Sequence, residues 1–163
     1  MIRPASPADA PAITRIYAPE VLTGTATFEY VPPDCAEMGA RISRVLGSNW
    51  PWLVDETAGH VTGYAYASQF RDRPAYARTC ESSIYVAPDA HRQGIGRALV
   101  EALVIAARAA GFREMIAVIG DGAGNRASLG LHRSCGFQDA GQLRNVGYKF
   151  NRWLDVVYMQ RSL

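Results

Sequence analysis

The sequence predicts an α/β chain in which helices cover a mixed β-sheet, and three observations carry that prediction. A strand, a long helix and a second strand follow one another across residues 81–120, the order of a right-handed crossover unit. Two apolar or alternating runs, "WPWLVDE" and "HVTGYAYASQF", flank the polar turn "TAGH" and read as a hairpin. Amphipathic segments with helical spacing precede this pair and supply a covering layer. At 163 residues the chain is expected to form one domain, 1–163, long enough to bury a real core.

Taken in order, Ser6 reads as the N-cap of a first helix, with Pro7 at its first position and Asp9 in its first turn. Ile13, Ile16 and Tyr17 share one face, and Pro19 is expected to break or end the helix. After the Gly/Thr-rich "TGTATFEYVPP", residues 34–46 place Met38, Ile42, Val45 and Leu46 at helical spacing, with Gly47 as the stop. The hairpin follows. "RDRPAYARTC" reads as a polar loop and "ESSIYVAP" as a strand, after which residues 95–110 form a long Ala/Leu-rich helix closed by Gly111. "EMIAVIG" is apolar on successive residues, the pattern of a strand buried on both faces. Beyond the loop "DGAG", "NRASLGLHRSCG" reads as a short helix that Asn125 caps and Gly136 ends, and "FQDAGQL" and "RWLDVVYMQRSL" close the chain as strands.

Composition excludes several classes of partner. Lys+Arg number 17 against 15 for Asp+Glu, with no long basic block, so a nucleic-acid partner is not expected. Cys35, Cys80 and Cys135 are scattered, odd in number and without a CxxC pair, which speaks against a disulfide framework or a metal site and fits a reducing cytoplasm. The N-terminal "MIRPASPADAPAI" has no apolar signal-like core, and no run of about 18 apolar residues occurs. A soluble, unexported protein without membrane contact is the expectation.

The stretch "YVAPDAHRQGIGRAL" carries the chemistry. Glycines at a strand-to-helix turn let backbone N–H groups approach an anion with no Cβ in the way, and the first turn of the following helix adds unpaired donors and the positive end of its dipole. Arg92 and Arg97 flank the turn, and Gln93 adds a neutral donor. Alone, a GxG is equally compatible with a mere tight turn. A dinucleotide fold would want a third glycine where Leu99 stands, and GxxxxGK[ST] is absent, so a different phosphate-bearing cofactor is the better candidate.

"IYVAPDAHRQGIGRALVEAL" resembles the acyl-CoA-binding core of the GCN5-related N-acetyltransferases (GNAT), and "NRASLGLHRSCGF" resembles their next block. Across nearly the whole chain, "TGTATFEY", "PWLV", "FRDRPAYARTCESSIYV", "AVIG" and "GYKFNRWLDVVYMQ" look like the phosphinothricin and methionine sulfoximine acetyltransferase subgroup. Two positions depart from the general family. His91 stands where Gln or Arg is usual, three residues before the first glycine; His132 stands where Tyr is common, as is usual in the subgroup.

The resemblance implies the GNAT acyl-CoA N-acyltransferase fold, an α+β arrangement with a central, mostly antiparallel sheet of about seven strands flanked by helices. It implies acetyl-CoA as co-substrate, held around Tyr85, Val86, Ala87, His91, Arg92, Gln93, Gly94, Ile95, Gly96 and Arg97, with Asn125 near the pantetheine arm and Ser128 beside it. Attack on the thioester needs a neutral amine; for an amine of pKa about 8 to 10, deprotonation at neutral pH costs on the order of 1–4 kcal/mol. Glu81, upstream of the cofactor loop on the central strand, is the candidate general base, and the resemblance implies the same role. The bland reading is a strand-end surface charge. Amides around Val86 would face the developing oxyanion, and His132 occupies the position the family uses to protonate the departing thiolate, or is a hydrogen-bonded structural histidine. A covalent route through Cys80 is disfavoured, because neighbours on a strand face opposite sides and Cys80 then points into the core.

Arg71, Arg73 and Tyr76 cluster where the subgroup binds the acid group of its amino-acid substrate, and guanidinium forks suit carboxylate or phosphinate. Phe28 and Glu29 resemble residues that flank the acceptor, Glu29 meeting its ammonium; Thr79, Ser83 and Lys149 are weaker candidates. Tyr17 and Trp153 read as core or interface aromatics. The implied acceptor is a small amino acid of the phosphinothricin, methionine sulfoximine or methionine sulfone type, and the implied assembly is a homodimer. Competing functions are a protein or peptide N-acetyltransferase and a non-catalytic acyl-CoA sensor.

Overall fold

A computed structural model describes residues 1–163. The elements are β1 (Ile2–Pro4), α1 (Ala10–Leu22), α2 (Cys35–Gly47), β2 (Trp52–Thr57), β3 (His60–Gln69), β4 (Thr79–Val86), α3 (Ile95–Ala109), β5 (Glu114–Gly120), α4 (Arg126–Ser134), β6 (Gln138–Lys149) and β7 (Arg152–Ser162), with short 3-10 turns at Pro7–Asp9, Pro74–Tyr76 and Pro88–Ala90. The seven strands lie in the order β1-β2-β3-β4-β5-β7-β6. Every pairing is antiparallel except β4 with β5. The mixed, mostly antiparallel sheet expected from the resemblance is thus present, as is the β4–α3–β5 crossover.

Each face of the sheet carries a core. On one side α3 packs Leu99, Val100, Leu103, Val104 and Ala107 against Cys80, Met115, Ala117 and Met159. On the other, Ile13, Ile16, Tyr17 and Val21 of α1 and Met38 and Ile42 of α2 cover Trp52, Val54 and Tyr64. The helices are where the spacing of apolar residues places them, and the hairpin turn is built on Ala58 (φ 51°) and Gly59 (φ 79°), both left-handed, the geometry that matches the twist of two-residue hairpins.

Four local expectations are corrected. Pro19 does not end α1, which runs on to Leu22: the proline is exposed and near the last turn, and its own carbonyl still accepts from the Thr23 amide at 2.9 Å. Ser6 opens the 3-10 turn Pro7–Asp9 ahead of α1, and there the Ser6 amide donates to the Asp9 carboxylate at 2.8 Å. β4 begins at Thr79, inside the stretch read as loop. β6 extends six residues past Leu143, because Asn145 (φ 53°) and Gly147 mark a bulge and not the strand's end. The three-residue β1, a sheet edge carrying a proline, has no periodicity to reveal it.

Candidate active site

The site begins with a pairing that stops. β4 pairs with β5 only from Thr79 to Ser82, opposite Glu114 to Ala117, whereas β5 stays paired with β7 as far as Gly120. Beyond Ser82 the two parallel strands diverge, and a cleft of about 810 Å³ opens between their C-terminal halves. Ala87 donates to the Thr62 carbonyl at 2.8 Å, so Val86, opposite Gly63, is in a non-hydrogen-bonded pair and turns its amide away from β3, into the gap. Gly120, Asn125, Ser128 and His132 form the far wall, and Glu20 and Ala26 close it from the α1 side.

At the mouth of this cleft the chain is shaped for an anion. Arg92 (φ 62°) and Gly94 (φ 83°) are both left-handed, and Gly94 is the N-cap of α3. From Arg92 to Arg97 no backbone amide donates to an acceptor within the protein. A concave run of free amides at a helix N-terminus is a phosphate site by geometry and by dipole. Gly96 sits where a Cβ would lie 3.3 Å from Leu131. His91 is exposed but folded back on the turn, with Nε2 donating to the Val86 carbonyl at 2.9 Å, and Gln93 donates to the Asp89 carbonyl at 3.1 Å. Arg97 pairs with Glu101 at 2.8 Å; Arg92 makes no ion pair. A diphosphate-bearing, thread-like ligand fits both the amide array and the slot behind it.

Glu81 lies at the root of β4, on the face shared with Ser83 and Tyr85. It is mostly withdrawn from water and accepts no hydrogen bond within the protein. Burial raises its carboxyl above the ordinary range, and the nearby Arg71 guanidinium partly offsets this. Cys80 is fully buried in the α3-side core, and burial pushes its thiol up to about 12. His132 is 4% exposed. Its Nδ1 faces the Ser128 carbonyl at 2.8 Å and so carries the hydrogen, while Nε2 is buried without a partner. Burial lowers the pKa of this ring, the Ser128 contact opposing the shift, so at rest His132 holds a lone pair at Nε2. Asn125 occupies the cap position of α4 but makes no cap; its amide reaches the Gly120 carbonyl at 3.5 Å.

The acceptor candidates gather along the loop after α1 and the loop before β4. Glu29 accepts from Tyr17 at 2.9 Å and from both Arg41 nitrogens at 2.7 and 3.2 Å. Burial works against its charge, but the Arg41 and Tyr17 hydrogen bonds prevail and hold the carboxyl below its usual range. Tyr17 in turn packs edge-on against Tyr85 at 5.0 Å, which carries the loop to the β4 face. Phe28 lies across Gly147 and Gly120, where any side chain would collide with its ring. Arg71 stacks over Phe70 at 5.0 Å, and Tyr76 meets the same ring edge-on. Arg73 caps the Pro74–Tyr76 turn, and its carbonyl accepts from Gln69. Thr79 and Ser83 are half-buried on the Glu81 face, Ser83 beside Tyr66.

Lys149 has a different occupation from the one expected: its ammonium donates to three backbone carbonyls and is 2% exposed. Tyr17 is a core residue, whereas Trp153 is 62% exposed. Sequence reasoning missed Arg41, Thr27 and Tyr66. Arg41 carried only the local signal of an i,i+4 partner to Glu37, and its engagement of Glu29 depends on how α2 lies against the loop.

Residues 2–158 match the acetyltransferase (GNAT) domain. The chain belongs to the GNAT acetyltransferase family. Among GNAT relatives it is 54% identical over 155 residues to the phosphinothricin N-acetyltransferase of Alcaligenes faecalis, covering 95% of this chain and 78% of that one. It is 41% identical to the L-methionine sulfoximine/L-methionine sulfone acetyltransferase of Pseudomonas aeruginosa, over 99% of this chain and 94% of the other. The crystal structure of a GNAT phosphinothricin acetyltransferase from Sinorhizobium meliloti, in complex with acetyl-CoA, superposes with a TM-score of 0.95 at 47% identity, covering 100% of this chain and 88% of that one. No helix of the protein is long and apolar enough to cross a membrane, and no cluster of His, Cys, Asp and Glu has metal-binding geometry.

Proposed function

We propose that this GNAT enzyme transfers the acetyl group of acetyl-CoA to the amino group of a small amino-acid acceptor of the phosphinothricin, methionine sulfoximine or methionine sulfone type. One observation carries the reading: the free amides of residues 92–97 and the Glu81 carboxylate belong to the two ends of one strand and its turn, Glu81 where β4 still pairs with β5 and the amides beyond the point where the two strands part. A ligand gripped by its diphosphate at one end is thereby aimed along β4 toward the carboxylate.

Acetyl-CoA supplies the activated acyl group and a stable thiolate leaving group. The chain supplies orientation and proton handling. Amides 92–97 and Arg92 hold the diphosphate, and the outward amide of Val86 faces the place where oxyanion charge develops. Glu81, ionised at working pH yet raised by burial toward the range of an effective base, accepts the ammonium proton directly or through one water. Arg71 and Arg73 offer forks to the acceptor's acid group. Glu29, already engaged by Arg41, contributes a neutralised pair at the rim and no free carboxylate. His132 acts as an acid only after Nε2 has gained a proton, which its burial resists.

The same reading includes a homodimer in the cytoplasm. Exposed Tyr30, Val31, Val146, Phe150 and Trp153 give an apolar surface that a second copy would cover, and three free thiols suit a reducing compartment. A thiol-release assay with acetyl-CoA across phosphinothricin, methionine sulfoximine, methionine sulfone, common amino acids and short peptides tests the proposal. Turnover with the first three is expected; turnover with peptides alone, or coenzyme binding with no thiol release from any acceptor, overturns it.

A further inference from the structure

Lys149 is the only lysine in the chain, against sixteen arginines. It lies at the end of β6, 2% exposed, and its Nζ donates to the carbonyls of Gly24 and Thr27 at 2.8 Å each and of Glu20 at 3.4 Å. All three acceptors belong to the end of α1 and the loop that follows it. Three protons in tetrahedral array meet three convergent oxygens, a task to which a compact ammonium is suited and a planar guanidinium is not. A buried charge with no carboxylate in contact is otherwise costly, so the cage is a built feature.

The caged segment is also the wall of the site. Glu20 and Ala26 line the coenzyme cleft, and Phe28 and Glu29 follow immediately. A second stitch holds the same loop, since the Thr25 hydroxyl donates to Asp121 at 2.8 Å, and the Thr25 and Ala26 carbonyls lie within 3.1 Å of where a Gly120 Cβ would be. The loop carries no regular structure of its own between residues 24 and 34. Its position therefore rests on ties of this kind, to which Tyr17, bonded to Thr27 and Glu29, and Arg41, bonded to Glu29, add at the far end.

We infer that Lys149 is a positioning residue: by collecting the carbonyls of Glu20, Gly24 and Thr27 it sets the loop that places Phe28 and Glu29 against the acceptor. It touches no substrate. The inference rests on the proposed small-acceptor reaction for its kinetic consequence, but its structural part stands apart from that reaction.

The test uses the full-length protein and Lys149→Met, which keeps the length of the side chain and removes the donors. In the variant, amide hydrogen exchange of residues 23–29 is expected to quicken at least tenfold while β4 and β5 are unchanged. The acceptor KM for methionine sulfoximine is expected to rise at least tenfold, and the acetyl-CoA dissociation constant to stay within threefold. Equal losses for both ligands, or unchanged exchange in the loop, overturn the inference. Should Lys149→Met not fold, the wild-type protein labelled uniformly with 13C and 15N decides: as the sole lysine, Lys149 must give one slowly exchanging ammonium resonance with couplings to carbonyl carbons, and a fast-exchanging, solvent-like signal refutes the cage. If wild type acetylates none of the proposed acceptors, the functional reading fails while loop exchange still tests Lys149.

Discussion

Cys80 and Glu81 are neighbours on β4 and face opposite sides of the sheet. The thiol is fully buried against α3, and the carboxylate shares the other face with Ser83 and Tyr85. With its pKa pushed up to about 12, Cys80 is thiolate in about one molecule in 10⁵ at pH 7 and cannot act as a nucleophile there. Cys80→Ala should therefore keep kcat within a few-fold, whereas Glu81→Gln should lower it by roughly two to four orders of magnitude. Thiol release measured under saturating coenzyme checks both; a dead Cys80→Ala of normal stability would point to a covalent route.

The pH dependence follows from the same carboxylate. Burial raises the Glu81 pKa in the folded protein, and Arg71 partly offsets it. The base must be ionised, so kcat/KM should fall as pH drops through a value above the ordinary carboxylate range, and Arg71→Gln should move that limb further up. The sign for stability is opposite to that of a salt-bridged acid: folding disfavours ionisation of this carboxyl, so stability is lost as pH rises from the ordinary carboxylate range through the higher folded value. Glu81→Gln should thus raise stability at pH 8, the gain vanishing at acid pH where the carboxyl is protonated in both states. Thermal melts at pH 3 and 8 decide it.

Helical spacing placed α2, α3 and α4 because their apolar faces are local patterns, and the GxG turn was legible because left-handed backbone at a helix start favours glycine. Strand alternation likewise foretold that Cys80 and Glu81 diverge. What could not be read were relations between distant segments. Asn145 and Gly147 look like a loop, yet they form a bulge because Asp155 on β7 accepts the Asn145 amide at 2.9 Å. Arg41 carries only the local signal of an i,i+4 partner to Glu37, and Lys149 reads only as a weaker acceptor candidate; each finds its partner in the loop after α1 only when the fold brings the two together.

His132 gives a prediction about tautomer. Its Nδ1 proton is fixed by the Ser128 carbonyl, and burial keeps the ring neutral. Nitrogen-15 spectra at neutral pH should therefore report the Nδ1–H form, with protonation of Nε2 displaced to lower pH than in an ordinary histidine. Because the folded state binds its proton less tightly than the unfolded state, the wild type loses stability as pH falls through the ordinary histidine range. His132→Phe removes both that loss and the orphaned Nε2, and should be more stable by about 1 kcal/mol, increasingly so at lower pH. Its kcat should drop at least tenfold if the ring handles protons, and an undiminished kcat would leave His132 structural.

The two arginines of the glycine turn should not behave alike. Arg97 already spends its guanidinium on Glu101, one helical turn away, in a pair open to solvent. Arg92 makes no ion pair, and its left-handed backbone (φ 62°) begins the run of free amides. A diphosphate arriving at this turn therefore meets an uncommitted charge at Arg92 and a competed one at Arg97. Arg92→Ala should weaken acetyl-CoA binding about tenfold and flatten its dependence on salt, whereas Arg97→Ala should cost no more than about threefold. Gly94→Ala, which forces a side chain onto φ 83°, should lose about 1 kcal/mol of stability and bind the coenzyme more weakly at every salt concentration, because it distorts the amides themselves. Titration calorimetry at 50 and 300 mM salt separates the three. Equal losses at Arg92 and Arg97 would mean that the Glu101 pair does not survive in solution, and an unaffected Gly94→Ala would mean that the amide array is not what holds the diphosphate.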